Sequence, residues 1–209
     1  MSNSLFGIIL LVLSIGIIIL LDIKYDSIPS IGKLLSPTHG FWSNIDSDPE
    51  ANEEIEIEAI HGKVSVIYDE NHVPHLFADN DEDLYYAQGY VMAKDRLWQM
   101  ELIRRIAPGR LAELFGNKVS KTDMFFAGLG IDENSEKAIT QIDKNSETYK
   151  LTLAYLDGIN QYLENGKSPV EFTLLGLEKK PFTLKDVYNI FGFMSFSFAM
   201  AQKTDPLMT

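Results

Sequence analysis

Residues 79–116, DNDEDLYYAQGYVMAKDRLWQMELIRRIAPGRLAELFG, predict one long helix, a break and a short second helix. Several carboxylates lie at the start of the long helix, and Arg104 and Arg105 lie near its end. This is the charge order that a helix dipole favours. Apolar residues recur at steps of three and four along two lines, so little of the helix surface is left for water. Pro108 and Gly109 are expected to stop the long helix, and Gly116 to end the short one.

Two residues inside the long helix are unusual for a buried helix. Gly89 costs about 1 kcal/mol relative to Ala in a helix interior, so we expect another group to approach the backbone there. Asp95 falls on the apolar stripe between Val91 and Trp98, which predicts a buried carboxylate paired with a group from another element. The pattern favours a structural helix with a buried ion pair over a catalytic site.

Composition sets limits on the function. The chain has 209 residues, 45 % of them hydrophobic, which is enough for a packed core. Its net charge of -12 argues against nucleic acid as a partner. The absence of cysteine from the sequence removes disulfides, thiol nucleophiles and zinc-thiolate sites.

The N-terminus predicts a membrane anchor. Residues 5–21, LFGIILLVLSIGIIILL, form an uncharged run at the lower length limit for spanning a bilayer, and no cleavage pattern of small residues follows it. A buried core helix is the alternative, but a run that is apolar on every face favours insertion. We therefore divide the chain into an anchor at residues 1–25, a linker rich in Ser and Pro at 26–54, and a folded region at 55–209.

The folded region is predicted to begin with a hairpin. Residues 55–59 and 63–69 alternate apolar and polar side chains on either side of a turn at Gly62, and residues 73–78 form an extended segment in which Pro74 favours a sheet edge. Helical spacing returns over residues 146–166 after a weaker helical pattern, and residues 168–181 are interpreted as a connector.

The C-terminal stretch is strongly apolar. Thr183 and Asp186 are expected to open a last helix, and residues 187–201 are too interrupted to span a membrane, so core is favoured over pocket lining. Thr204 and Asp205 before Pro206 are typical of an N-cap, yet the sequence stops at Thr209. We interpret the chain as cut short.

Nothing in the residues marks a self-sufficient active site. The sequence has no G-x-S-x-G elbow and no phosphate-binding loop, and Gly128 with Gly130 lacks the third glycine of a dinucleotide loop. We therefore assign no catalytic residue to this chain.

A resemblance to a known family indicates a function that residue spacing alone does not. The D-E-x-x-x-P-H piece ending at His75, the block G-Y-x-x-A-x-D-R-L-x-Q-M-E at 89–101 and R-R-x-x-x-G-R-L-A-E at 104–113 resemble the start of the penicillin acylase (penicillin amidase) family of N-terminal-nucleophile amidohydrolases. The resemblance continues more loosely to Asp205. It implies an α+β fold, in which this chain is the α-chain part of an αββα sandwich. It also implies a precursor that cuts itself, with the catalytic serine at the start of the β chain.

The resemblance also implies site residues. The helix that ends this chain would line one side of the acyl pocket, through Ser195, Phe198 and Ala199 with Met194 beside them. Phe198 stands where well-known members have arginine, so substrate choice is expected to differ. The same register puts a calcium carboxylate at Asp205, against the alternative of a simple helix cap.

We therefore expect the α portion of an amide hydrolase that acts on N-acyl bonds of β-lactam antibiotics or acyl-homoserine lactones. It would be tethered to the membrane by its N-terminal helix, on the periplasmic or extracytoplasmic face, and inactive without the β chain. The alternative is a non-catalytic, membrane-anchored binding or scaffold protein derived from the same fold. In either case residues 55–209 alone should leave apolar faces uncovered and be insoluble or molten.

Overall fold

A computed structural model describes residues 3–23, 30–34, 36 and 54–204. These residues form α-helices and one small sheet, whose three strands follow each other in sequence. The strands are β1 (Glu54–Glu58), β2 (Lys63–Tyr68) and β3 (Pro74–Phe77). The helices are α1 (Asn3–Asp22), α2 (Ile31–Leu34), α3 (Asp81–Ile106), α4 (Ala112–Phe115), α5 (Ser120–Gly128), α6 (Ile131–Thr140), α7 (Glu147–Asn165), α8 (Val170–Leu175) and α9 (Leu184–Thr204). The mixed helix and sheet content agrees with the predicted class.

The chain forms two compact units, and the smaller one contains α1, α2 and α8. Within it, the segment Leu5–Asp22 of α1 is long and apolar enough to cross a membrane, with a mean hydropathy of 2.9 and no buried portion. A signal sequence has the same length and composition. Most of the predicted linker lies outside the described residues.

The larger unit begins with the sheet, where the predicted hairpin is confirmed. Strand β2 lies between β1 and β3 and pairs antiparallel with both. Alternation puts Val64, Val66 and Tyr68 of β2 on one buried face while the intervening residues face outward. Pro74 lies at the edge of the sheet, as its missing N–H requires.

The hairpin is tied to the start of α3 by Asp83. Asn80 caps the helix by accepting a hydrogen bond from the Asp83 N–H at 2.9 Å. The buried Asp83 carboxylate accepts from the His61 N–H and from Asn80 Nδ2, both at 2.8 Å. Burial acts to raise the pKa of Asp83, but these hydrogen bonds outweigh it and the pKa is lowered.

The crossing of α3 and α7 forms the centre of this unit. A Cβ on Gly89 would lie 2.0 Å from the backbone oxygen of Tyr155, which confirms the predicted close approach. Gly158 of α7 plays the same part, since its Cβ would lie 1.9 Å from the backbone oxygen of Tyr86. Two glycines thus let the helix backbones touch, and the predicted helix over 146–166 is confirmed as α7.

The expectation for Asp95 was wrong. Asp95 is exposed, and the buried carboxylates of α3 are Asp83 and Glu101. The backbone at Arg96 is not helical (φ -133°, ψ 16°), so α3 is kinked there. Asp95 lies before the kink and Trp98 after it, so these two residues do not keep the regular three-residue spacing on which the expectation rested.

Thr204 is the last residue of α9 and the residues after it lie outside the described part of the chain, so the expected cap there stays a prediction. Two further expectations about the second half need correction. The connector at 168–181 contains a short helix, α8. The apolar stretch at 187–201 is not core within this chain, because half of its large side chains are exposed.

Candidate functional site

Helix α9 carries the predicted pocket residues, and its first turn is fixed by a capping box. The Thr183 N–H and hydroxyl both donate to Asp186 Oδ2, at 2.8 and 2.7 Å. The Asp186 N–H donates back to Thr183 Oγ1 at 3.3 Å. The predicted opening of the last helix at these residues is confirmed.

The residue before this cap, Phe182, anchors α9 to α3 and α7. Asn160 of α7 donates from Nδ2 to the Phe182 carbonyl at 3.0 Å and accepts from the Phe182 N–H at 2.8 Å. The Arg104 guanidinium lies 4.3 Å from the centre of the Phe182 ring and donates to the Lys180 carbonyl at 3.1 Å. With its side chain only 4 % exposed, Phe182 fixes where α9 begins.

Arg104 is itself held in a charged cluster at the end of α3. Glu101, 2 % exposed, pairs with Arg104 Nε at 3.0 Å and accepts from Arg105 Nε at 2.8 Å. Arg105 also contacts Glu113, which accepts from Arg110 Nε at 2.7 Å. The hydrogen bond from Arg110 lowers the pKa of Glu113. Arg104, Arg105, Arg110 and Glu113 are the charged residues of the R-R-x-x-x-G-R-L-A-E motif, so that motif is scaffold for α9.

One side of α9 packs on α5 and α6, and we call it the packed face: Lys185, Asn189, Gly192 and Phe196. Asn189 Nδ2 donates to Asp132 Oδ1 and Lys185 Nζ lies near Asp132 Oδ2, both at 2.9 Å. A Cβ on Gly192 would lie 2.8 Å from Ile131 Cγ2, so α9 and α6 approach closely. The Phe196 ring lies 5.9 Å from that of Phe125.

The opposite side, which we call the open face, consists of Phe191, Met194 and Phe198. These residues follow each other at steps of three and four, so they share one side of the helix. Their exposed fractions are 69, 47 and 65 %. Three large apolar side chains at this exposure form a surface suited to contact with an apolar ligand or partner.

Met194 of the open face also lines a groove of 390 Å³. The other lining residues come from α3, α7 and the start of α9: Met92, Arg96, Gln99, Met100, Ile103, Tyr155, Ile159, Phe182, Val187 and Ile190. Methionine side chains adapt to irregular shapes, and three of them line this groove. The arrangement can bind an apolar group of variable shape, with the Arg96 guanidinium available for an anion.

The structure brings the predicted pocket residues onto α9 but places only Met194 in the groove. Ser195 is exposed, and its Oγ donates to the Phe191 carbonyl at 2.9 Å, so the hydroxyl is already used within the helix. Phe198 and Ala199 are exposed beyond the groove. Asp205 lies outside the described residues.

Sequence reasoning missed the contribution of α3 to the groove. Arg96, Gln99 and Met100 all belong to the D-R-L-x-Q-M-E block, but nothing in their spacing distinguishes groove lining from ordinary helix surface. The kink at Arg96 likewise has no Pro or adjacent Gly to signal it.

Comparison with known proteins adds a family. A family model described as penicillin amidase matches residues 63–209. The penicillin acylase 2 proenzyme of Pseudomonas sp. (strain SE83) is 34 % identical over 134 residues, covering 64 % of this chain and 17 % of that protein. Penicillin G acylase of Escherichia coli is 29 % identical over 135 residues, covering 62 % and 16 %. Acyl-homoserine lactone acylase QuiP of Pseudomonas aeruginosa is 27 % identical over 157 residues, covering 74 % and 18 %.

A solved structure is similar as well. The thermostable penicillin G acylase from Alcaligenes faecalis matches with a TM-score of 0.57 and 30 % sequence identity, over 69 % of this chain and 75 % of that chain. The chain spans about a sixth of the length of the curated relatives that it matches.

Proposed function

The chain belongs to the penicillin amidase family, and from this premise we propose that it is the α portion of an amidohydrolase that cleaves N-acyl bonds of β-lactam antibiotics or acyl-homoserine lactones. The substrate classes come from the printed names of its relatives. The observation that carries the proposal is the family match over 63–209, which includes the helix that bears the open face.

In this proposal the nucleophile belongs to another part of the enzyme. The β chain of the same precursor supplies an N-terminal serine whose own amino group acts as base, and the present chain is inactive without it. The proenzyme name of a relative supports a processed precursor. This chain then contributes binding and orientation, and the proposed β chain and an amide substrate are its partners.

The proposed contribution to substrate binding is one wall of the acyl pocket: Met194, Ser195, Phe198 and Ala199. Since the Ser195 hydroxyl donates within its own helix, this wall presents mainly apolar surface. A phenyl or alkyl acyl group would gain about 25 cal/mol for each Å² of apolar surface that it buries there. Phe198, in place of the arginine of well-known members, extends that apolar surface.

We further propose that β1, β2 and β3 belong to the sheets of an αββα sandwich. The α1 helix serves as a membrane anchor at residues 1–25, residues 26–54 as linker, and 55–209 as the α-chain region on the periplasmic or extracytoplasmic face. The apolar, unburied segment Leu5–Asp22 of α1 supports the anchor.

A calcium ion is the implied cofactor, with Asp205 as one ligand. Among the described residues no group of three or more His, Cys, Asp or Glu side chains could hold a metal ion. A carboxylate at Asp205 suits calcium, which takes six to eight oxygen ligands, so most of them would come from elsewhere. The proposed role of the ion is structural, and the chemistry assigned to this chain does not depend on it.

The test is to express the protein that carries this chain with the polypeptide that follows it in the same reading frame. We expect self-cleavage that yields a second chain with N-terminal serine, seen by N-terminal sequencing, and hydrolysis of a chromogenic phenylacetyl amide or of an acyl-homoserine lactone. Residues 1–209 expressed without the polypeptide that follows serve as the control and should hydrolyse neither substrate. A purified protein that neither cleaves itself nor hydrolyses these amides would favour the scaffold alternative.

A further inference from the structure

The smaller unit joins the apolar helix α1 to a segment of the penicillin amidase region. Helix α2 packs on both α1 and α8, and α8 lies in the connector at 168–179, within the residues that the family model matches. Phe172 of α8 is only 2 % exposed. The connector is therefore part of one packed unit with α1, although the whole of α3 to α7 separates the two in the sequence.

Helix α2 meets α1 at the end of the apolar run. Every residue of α1 from Leu5 to Leu20 is exposed, and Leu21 is the first that is partly covered. A Cβ on Gly32 of α2 would lie 3.2 Å from the Leu21 carbonyl carbon and 3.1 Å from Asp22 Oδ1. Within the described part of the chain, α2 thus covers one end of α1 and leaves the rest of the run without protein contact. This packing favours a helix that is retained over a signal sequence that is removed.

The length of the uncovered run places the contact with α2 at the surface of a bilayer. Leu5–Asp22 has 18 residues, and a helix rises about 1.5 Å per residue, so the run spans about 27 Å. The hydrocarbon core of a bilayer is about 30 Å thick. With α1 inserted, the charged Asp22 at the end of the run therefore lies at the level of the lipid headgroups, and α2 lies beside it.

Two large apolar side chains are exposed at this end of the unit. Ile23 follows the run directly and is 55 % exposed, and Ile31 of α2 is 45 % exposed. Apolar side chains at the boundary between headgroups and acyl chains are stabilised by burial there. Acidic side chains outnumber basic ones in residues 1–46 and 168–179, so charge does not attract this unit to an anionic surface. The unit therefore suits a neutral lipid surface that it contacts through apolar side chains.

We propose that α2 and the α8 connector lie on the lipid surface, so that the penicillin amidase region is held at the bilayer and does not hang from a free tether. This inference rests on the proposed role of α1 as a membrane anchor. Because the connector joins α7 to α9 in the sequence, the larger unit is attached to this surface through the connector as well as through the linker.

Quenching of a fluorophore on the connector tests the lipid contact. The 209 residues contain no cysteine, so Glu178→Cys, at an exposed position of the connector, accepts a single fluorophore once any cysteines elsewhere in the protein are replaced by serine. The intact protein is reconstituted into phosphatidylcholine vesicles that contain a lipid with a nitroxide on its headgroup. We expect the fluorophore to be quenched, and to the same extent when anionic phosphatidylglycerol is added. No quenching, or quenching that requires phosphatidylglycerol, would overturn the proposal.

Matched glycine substitutions distinguish packing from simple proximity. Gly32→Leu adds a branched side chain where a Cβ alone already approaches Leu21 and Asp22 to 3.1–3.3 Å, so α2 must leave α1 and the quenching at residue 178 should be lost. Gly16→Leu is the same change within α1, where nothing lies within 4 Å of the new Cβ, and it should preserve the quenching. Equal quenching in the two variants would show that a free tether brings the connector near the bilayer, and it would overturn the proposal.

A fluorophore within α1 separates this inference from the proposals on which it rests. Val12→Cys places it near the middle of the apolar run, where a lipid with a nitroxide in its acyl chain should quench it. If Val12→Cys is quenched and Glu178→Cys is not, the anchor stands and the lipid contact of the connector is wrong. If Val12→Cys is not quenched, the anchor is wrong and the inference fails with it. If both are quenched but the protein hydrolyses no amide, the proposed enzymatic activity is wrong and the lipid contact stands.

Discussion

The α3–α7 crossing and helix α9 are both built from long helices with many apolar residues, yet the crossing is closed and α9 is half open. At the crossing, Gly89 and Gly158 let the two backbones touch, and Ala87, Ala154 and Ile159 are buried. On α9, one side packs on α5 and α6 while Phe191 and Phe198 on the other side are exposed. The crossing needs nothing beyond this chain to bury its residues, whereas the open face does.

The difference suggests that the α3–α7 crossing supports the structure while α9 carries the binding surface. A closed crossing gives a rigid base, and the Phe182 anchor transmits its position to the start of α9. The proposed function is placed on the half-open helix, because α9 exposes Phe191, Met194 and Phe198 along one side to a ligand or partner. The substitutions predicted below test the connection between the two regions, the α3–α7 crossing, and the two faces of α9.

The largest effect is expected from Glu101→Gln, at the connection between the two regions. Removing this charge leaves Arg104 buried without a carboxylate and Arg105 with Glu113 alone, which costs about 3–5 kcal/mol of unfolding free energy. Chemical denaturation of the protein that carries this chain measures the loss. Glu58→Gln, an exposed glutamate of β1, is the control and should change stability by less than about 1 kcal/mol. Equal effects of the two substitutions would show that the buried cluster contributes little.

Gly158→Ala should break the closed region. The added Cβ would overlap the Tyr86 carbonyl, so the two helices must move apart. We expect this overpacking to cost about 1–3 kcal/mol, which exceeds the gain of about 1 kcal/mol in helix propensity. The measurement is the thermal midpoint, which we expect to fall. Gly128→Ala in α5 has open space around the new methyl and should be neutral or slightly stabilising. A raised midpoint for Gly158→Ala would contradict the close contact.

Asn160→Ala should loosen α9 from its base. Both hydrogen bonds to the Phe182 backbone are lost, and each buried group left unsatisfied costs about 1 kcal/mol or more. Hydrogen exchange at the Phe182 amide should speed up with a modest fall in the thermal midpoint. Asn165→Ala, exposed at the end of the same helix, is the matched control. Unchanged protection at Phe182 would rule out this anchor.

The closed region was largely predictable because its signals are local. Alternation gave the hairpin, periodicity gave α3 and α7, and the propensity cost of Gly89 indicated a close approach. The approaching group was not predictable, since Gly158 lies 69 residues further along and no local rule pairs two distant glycines. The capping box at Thr183 was also found from sequence, as it depends on residues three apart.

The candidate site was only partly predictable because its geometry is not local. Asp95 and Glu101 are both acidic residues of one helix, yet only Glu101 is buried, and the kink between them at Arg96 has no sequence signal. The apolar composition of α9 favoured its assignment to the hydrophobic core. Composition shows that a side chain prefers burial, but it does not show whether the same chain contains the residues that bury it. The resemblance marked the pocket residues, but it did not indicate that α3 provides half of a groove beside Met194.

The two faces of α9 are compared by Phe196→Gln and Phe191→Gln. Phe196 is half-buried against Phe125 and Phe126, so its loss should cost about 1 kcal/mol. Phe191 is exposed, so the same change should cost less than about 0.5 kcal/mol and raise the soluble fraction of residues 55–209. Thermal melts and light scattering read out the two effects. Equal destabilisation by both would mean that the open face is already covered within this chain.

The smallest effect is expected from Lys185→Met on the packed face, and it depends on pH. Burial acts to raise the pKa of Asp132, but hydrogen bonds from Lys185 and Asn189 outweigh it and hold the pKa below the ordinary value of 3.8. A carboxylate with a lowered folded-state pKa stabilises the fold above its unfolded-state pKa, and this stabilisation is lost as pH falls through the folded-state pKa. Lys185 and Asp132 are both about one-third exposed, so the substitution should cost no more than about 1 kcal/mol near pH 7.

Urea unfolding at pH 7 and near pH 3 distinguishes this ion pair from simple packing. The difference between wild type and Lys185→Met should shrink at the lower pH, because pH 3 lies below the ordinary carboxyl pKa of 3.8 and the unfolded state takes up a proton there that the folded state resists. Lys150→Met, which removes an exposed lysine away from α9, should show no such pH dependence. A loss at pH 7 that persists undiminished at low pH would assign the effect to the methylene chain of Lys185. The packed face would then be held by apolar packing, as the α3–α7 crossing is. The two regions would differ only in the number of residues that each one buries.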